Sequence, residues 1–226
     1  MIKKIRASTE ADDSDDSDDG QTMVIDPSGM NPYIDKNILV RKNDIFIYKE
    51  ITENLTKELV DQLESMALNL IQVCISTGLD NPKINLHLCS PGGSLDYGLA
   101  IIETMKEIQN GIKVAGVRIP VPVDTYIEGS ADSCASLIAC CGSRRYVSKY
   151  AGSVIHGLSS GFSGKNPDIQ TTAKNLMDLE RIYKDIYLSH SKLTEEEISS
   201  MIKEEKRYSA EFLIEKGLAD EITETI

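Results

Sequence analysis

Long apolar runs are what this 226-residue sequence most plainly lacks. A membrane-spanning helix needs about 20 apolar residues in succession, and no stretch supplies them. The N-terminal MIKKIRASTEADD is basic but lacks the apolar core of a secretory signal. Positive charge is also short: 24 Lys and Arg stand against 36 Asp and Glu, a net charge of −12. Nonspecific attraction to nucleic acid or to an anionic membrane is therefore disfavoured. Cysteine is sparse and odd in number: Cys74, Cys89, Cys134, Cys140 and Cys141. Their irregular spacing gives neither a disulfide framework nor a metal-ligand pattern, so a reducing cytoplasm is the expected setting. There is no internal repeat and no nucleotide-binding motif. Histidine is scarce too, so imidazole chemistry has three candidates: His87, His156 and His190.

What is present fits one domain with a tail, long enough to bury a sizeable core. Residues 10–19, EADDSDDSDD, hold seven acids, more than half of the net charge. With no apolar residue beyond Ala11, the segment cannot bury surface to offset its ordering entropy. We expect residues 1–33 to be a disordered, solvated acidic tail and residues 34–226 to be the folded domain. Order is expected to begin between Ile34 and Phe46.

From Asp44 onward, strand and helix patterns alternate. DIFIY (Asp44–Tyr48) alternates as a strand. Leu55, Leu59, Leu63, Met66 and Leu70 recur at helical spacing over 53–76. KINLHL (Lys83–Leu88) is a strand running into Ser90-Pro91-Gly92-Gly93, and Leu95–Ile108 a helix that stops at Asn110-Gly111. Strand-like runs follow at Ile112–Val117 and Val123–Ile127. CASLIACC reads as a helix, and RRYV (Arg144–Val147) and SVIH (Ser153–His156) as strands. A long helix fits Asp168–Leu188. Thr194 with Glu197 makes a capping box for a helix to Ile202. Ser209 caps a last helix that Gly217 ends. Repeated strand–helix units predict an α/β fold with a largely parallel sheet.

Three places carry chemistry. SPGG between a strand and a helix frees backbone N–H groups at a turn, which suits an anion or oxyanion, although a plain turn looks similar. In IEGSADSCASLIACCG, Ser130, Ser133 and Ser136 crowd among Gly129, Ala131 and Ala135. Ser133 falls at the first helical turn and is best placed of the three as a nucleophile; it or Ser130 equally suits a helix cap. Ser136, one turn in, faces its own backbone. His156 ends a strand before the Gly-rich GLSSGFSGK, where α/β enzymes present a base. The alternation turns His87 outward, and His190 sits where a helix end wants its last carbonyls satisfied.

Taken in order, SPGGS, TMKEIQ, GSADSCASLIACCG, VIHG…GFSGK and YSAEFLIEKGLAD resemble the Clp protease proteolytic subunit (ClpP) family over Asp44 to Ile222. That family shows SPGG, then G-x-A-A-S-M-G/A, then a strand ending M-I-H-Q-P, then an acid four residues before S-A-x-E-A. Ser133 matches the nucleophile and His156 the base. Counting back from Ser209-Ala210 places Glu205 at the position of the acid, with Glu204 its neighbour and competitor.

The resemblance implies a ClpP/crotonase-like fold with a protruding helix-loop handle. It implies a serine endopeptidase without a cofactor, acting on polypeptide substrates. The N–H groups of Gly93 and Cys134 would form the oxyanion hole, each worth about 2.7–4 kcal/mol. Ser90, Gly92 and Gly157 would border an extended substrate bound by strand addition. The helix at 168–188 and its preceding loop would interlock two stacked rings of seven subunits, a homo-oligomeric tetradecamer. A separate AAA+ unfoldase would supply any ATP dependence.

Several features depart from the family pattern. Asp132 replaces a small residue before the serine, where a carboxylate would favour a protonated imidazole. Gly157-Leu158 replaces Gln-Pro. GVRIPVPVDTY holds about seven to nine extra residues, with Pro120 and Pro122 marking an edge or loop. The turn between Gly142 and Tyr146 is shorter than usual. Two rival readings follow: a ring subunit with a dead site, and a crotonase-like acyl-CoA enzyme, which shares paired oxyanion N–H groups but does not need the serine and histidine.

Overall fold

The computed structural model describes residues 37–78, 82–159, 161 and 165–224. The acidic tail and its boundary lie outside those residues. Strands β1 (Leu39–Arg41) and β2 (Asp44–Ile47) form an antiparallel pair that turns at Lys42, and β2 sends Ile45 and Ile47 into the core. Thr52 then caps α1 (Glu53–Thr77) by accepting the Leu55 N–H at 3.4 Å. The helix buries Leu55, Leu59, Leu63, Met66 and Ile71 and leaves Leu70 only partly covered. It ends at Gly78, whose left-handed φ of 69° lets its N–H reach the Cys74 carbonyl at 2.9 Å. Each fully buried leucine of this row contributes about 1.5–3 kcal/mol.

Strand β3 (Ile84–Ser90) alternates as its sequence predicts, with Ile84, Leu86 and Leu88 inward. Helix α2 (Leu95–Asn110) follows and stops at Gly111. The next run differs from the expected single strand over 112–117. It folds back on itself as a hairpin of β4 (Ile112–Val114) and β5 (Val117–Ile119), apart from the main sheet. Ala115 and Gly116 take φ of 49° and 88°, a two-residue turn whose twist suits the flanking strands. This hairpin holds much of the extra sequence, and Pro120 and Pro122 lie in the connection after it.

Strand β6 (Val123–Ala131) is central. It runs parallel to β3 on one side and to β7 (Arg145–Ser148) on the other, and β10 (Glu221–Thr223) adds beyond β7. The order is β1-β2-β3-β6-β7-β10, mostly parallel, so the fold is α/β as expected. At its end β6 pairs with β8 (Gly152–Val154) through Ser130 and Gly152, and β9 (Arg207–Ser209) pairs antiparallel with β8. The carboxyl ends of β3, β6 and β8 therefore meet at one place, the usual position of a site on a parallel sheet.

Helices α1, α2 and α3 (Cys134–Cys140) cover the sheet's inner face. Phe46, His87, Tyr126 and Tyr146 stack in a row across four strands, with ring centroids 4.4–4.7 Å apart. All four are partly exposed, and His87 Nδ1 lies 2.7 Å from Glu128. Helix α4 (Asn166–His190) is half free, for only Tyr183, Ile186 and Tyr187 are buried. His190 donates from Nδ1 to the Ile186 carbonyl at 2.8 Å, as its place at the helix end predicts. The capping box of α5 (Glu195–Glu204) forms with both bonds present, and Ser209 caps α6 (Ala210–Glu215). Among the described residues no helix is long and apolar enough to cross a membrane, and all five cysteines are free thiols.

Candidate active site

The turn after β3 is shaped by two glycines. Gly92 and Gly93 take φ of 90° and 153°. A Cβ on Gly93 would lie 2.2 Å from the Ile51 carbonyl oxygen; one on Gly92 would lie 2.6 Å from the Asp132 carbonyl oxygen and 2.7 Å from Ser133 Cβ. No larger side chain fits either position, which explains the pair. Ser90 lies beneath, 1 % exposed. Its hydroxyl donates to the Lys49 carbonyl at 2.7 Å and accepts the Gly92 N–H at 3.2 Å, so it braces the turn from inside.

The second turn joins β6 to α3. Ser133 has φ 55° and ψ −128°, a conformation rare for any residue but glycine, with a cost of about 1–3 kcal/mol. Main-chain bonds hold it there. Asp132 N–H donates to the Ser90 carbonyl at 3.0 Å and Ser133 N–H to the Val154 carbonyl at 2.8 Å. The sharp strand-to-helix turn pushes the Ser133 side chain into a cleft of about 600 Å³. The two neighbouring serines are engaged elsewhere. Ser136 donates to the Ser133 carbonyl at 2.7 Å and meets the Tyr187 hydroxyl. Ser130 donates to Asp132 and accepts from Arg207. The Asp132 carboxylate turns to the Val154 N–H at 2.7 Å; it was expected to act on an imidazole.

His156 enters the same cleft from the segment after β8. Its Nδ1 lies 2.7 Å from the Gly157 carbonyl oxygen. A carbonyl only accepts, so Nδ1 carries the proton of the neutral ring and Nε2 keeps its lone pair. That is the tautomer a general base needs. Gly93 and Cys134 also line the cleft, and the N–H groups of both reach the Cys134 sulfur. Burial pushes the Cys134 thiol up to about 12, so it stays neutral. Gly93 and Cys134 thus stand beside Ser133 at the cleft, their N–H groups resting on a neutral thiol.

Glu205 lies apart from these groups. It is exposed at the end of α5, in a left-handed conformation with φ 49°, its N–H on the Met201 carbonyl. Among the described residues it does not line the cleft. Glu204 faces solvent, bonded to Ser200 at 2.9 Å and paired with Lys206. Gly92 borders the cleft; Gly157 serves it through the carbonyl that holds His156.

Sequence reasoning missed one wall. Leu176, Leu179 and Tyr183 of α4 close the cleft, and Leu158 adds to it. The Tyr183 hydroxyl accepts from the Tyr187 hydroxyl at 3.3 Å and is reached by the His156 backbone N–H. Burial pushes this phenol up to about 12, so it stays protonated. The tyrosine spacing of four on one helix face was the available clue. Among the described residues no three His, Cys, Asp or Glu side chains gather as a metal site. With this geometry in place, comparison with known families finds that a family model described as Clp protease matches residues 28–226.

Proposed function

The chain belongs to the Clp protease family, a family of peptidases, and from that premise we propose that it is a serine endopeptidase with Ser133 as its nucleophile. The observation that carries this reading is the meeting in one cleft of Ser133, on a strained turn, with His156, whose Nδ1 is held by the Gly157 carbonyl. Ser133 Oγ attacks the peptide carbonyl carbon, and its proton passes to His156 Nε2. The tetrahedral oxyanion is received by the N–H groups of Gly93 and Cys134. Collapse expels the amine, which takes the proton from Nε2. Water then repeats the sequence on the acyl-enzyme. The substrate lies extended beside Gly92 and Gly93 on one side and residues 156–158 on the other, adding a strand.

Glu205 is the acid assigned to orient His156. In this conformation Gly157 holds Nδ1, so Glu205 acts only after that bond is exchanged. The same observation favours a second reading, a ring subunit whose site is silent. Assembly follows the family's habit of closed rings, here two stacked rings of seven joined through α4, with an AAA+ unfoldase feeding folded substrates. The test is hydrolysis of a fluorogenic peptide by the assembled protein. Activity that Ser133→Ala reduces by about 10⁶-fold supports the serine reading; activity that survives the substitution rejects it. Light scattering that finds a monomer at micromolar concentration rejects the ring.

A further inference from the structure

We propose that Asp132 is a positioning residue, whose carboxylate clamps the strand leading to His156 onto the turn that carries Ser133. The proposal rests on the reading of Ser133 and His156 as the reacting pair. Strands β6 and β8 share one paired position, Ser130 with Gly152. Beyond it the ladder has no main-chain carbonyl to offer the next strand residue, because β6 turns into α3. The carboxylate takes that place. Val154 makes two bonds to adjacent residues of the turn: its carbonyl accepts the Ser133 N–H at 2.8 Å, and its N–H donates to Asp132 Oδ1 at 2.7 Å. A side chain thus completes a rung that the backbone cannot, two residues before His156.

The clamp extends to a third element. Ser130 Oγ donates to the same Asp132 oxygen and accepts from Arg207 Nη1 at 3.0 Å, while Arg207 Nη2 reaches the Gly129 carbonyl at 2.8 Å. Arg207 is the β9 residue in register with Val154. Asp132, Ser130 and Arg207 therefore form a polar chain that joins Val154 of β8 to the end of β6 and to β9. Those elements lead to Ser133, to His156 and, two residues before Arg207, to Glu205. Gly152 permits the close approach, since a Cβ there would lie 2.3 Å from the Tyr208 carbonyl oxygen. A small apolar residue at 132 would leave the Val154 N–H and the Ser130 hydroxyl without this acceptor. Glutamate would overshoot it by a methylene.

The role is geometric, so an amide can fill it. Asp132→Asn keeps an oxygen for Val154 and Ser130 and loses the charge; Asp132→Ala loses both. Two readouts on the assembled full chain separate the possibilities. The first is amide exchange at Val154, which needs no catalysis: slow in the unsubstituted protein and in Asp132→Asn, fast in Asp132→Ala. The second is the rate of Ser133 acylation by a fluorophosphonate, with kcat and KM for a short peptide across pH. A misplacement near 1 Å costs about 10²-fold. We expect that loss in kcat and acylation for Asp132→Ala, with KM within about twofold. Asp132→Asn should stay within about threefold at an unchanged pH midpoint. Equal damage from both substitutions with a lowered pH midpoint would mean that the charge acts on His156, and would overturn the clamp. So would unaltered Val154 exchange in Asp132→Ala. If Asp132→Ala fails to fold, the Asp132→Asn result alone decides. An unsubstituted protein inert to both the probe and peptides defeats the serine-peptidase reading, while Val154 exchange still decides the clamp.

Discussion

Gly92→Ala tests how closely the two turns are built against each other. The substitution has two separable costs. At φ 90° an alanine loses about 1–2 kcal/mol from its left-handed backbone. Its Cβ would also sit 2.6 Å from the Asp132 carbonyl oxygen and 2.7 Å from Ser133 Cβ, so the nucleophile's turn must retreat by several tenths of an ångström. Overpacking of that kind adds about 1–3 kcal/mol. Gly116→Ala is a matched control, because Gly116 has φ 88° with no atom within 4 Å. At equal protein concentration, Gly92→Ala should lower Tm by about 4–20 °C and Gly116→Ala by about 2–8 °C. The turn's retreat should slow fluorophosphonate labelling of Ser133 by about 10²-fold in Gly92→Ala and leave it unchanged in Gly116→Ala. Calorimetry and a labelling time course read both. If the two variants melt and label alike, the Ser90–Gly93 turn does not press on the nucleophile, and the reasoning fails.

The remaining predictions concern the acid, a surface pair and the tail. Glu205→Gln should cut peptide turnover by about 10²–10⁴-fold with the oligomeric state unchanged, because an amide cannot stabilise an imidazolium, and Glu204→Gln should do little; steady-state kinetics with light scattering checks both, and swapped effects would shift the register by one. The Arg145 guanidinium holds the Asp220 carboxyl below the usual carboxylate range through bonds from Nε at 3.0 Å and from Nη2. A depressed carboxylate stabilises the fold above its unfolded pKa of about 3.9 and loses that contribution as pH falls through its folded value. Asp220→Asn should therefore cost about 1–2 kcal/mol at pH 7, discounted for exposure, with the gap closing below about pH 4 in urea titrations. A chain beginning at Asn31 should keep its Tm and its hydrolysis of short peptides; unfolding or a changed oligomeric state would make the tail structural.

Much of this architecture is local in origin and was readable for that reason. The alternation of Ile84, Leu86 and Leu88, the leucine row of α1 and the Thr194–Glu197 box each depend on residues within a few positions. The places of Ser133 at a strand-to-helix turn and of His156 just after a strand were readable because strand ends and turns are marked by small residues. The hairpin was not. Ile112, Val114, Val117 and Ile119 look like strand on both sides of Ala115-Gly116, and the turn lacks the Asn-Gly pair that usually announces it. The aim of Asp132 was also hidden. Its partner Val154 lies 22 residues away, and only the pairing of β6 with β8 brings that N–H within reach. Tyr183 joins the cleft by the docking of α4, and Gly157 holds Nδ1 of His156 where the family pattern led us to expect an acid.

Mapping the covalent adduct tests the central claim most directly. The assembled protein is treated with a fluorophosphonate and digested. The peptide spanning residues 127–142 is fragmented so that the three serines are resolved. The account predicts one adduct, on Ser133, lost in Ser133→Ala and formed far more slowly in His156→Ala. An adduct on Ser130 or Ser136 with Ser133 free, or no adduct in an assembled sample, would contradict it.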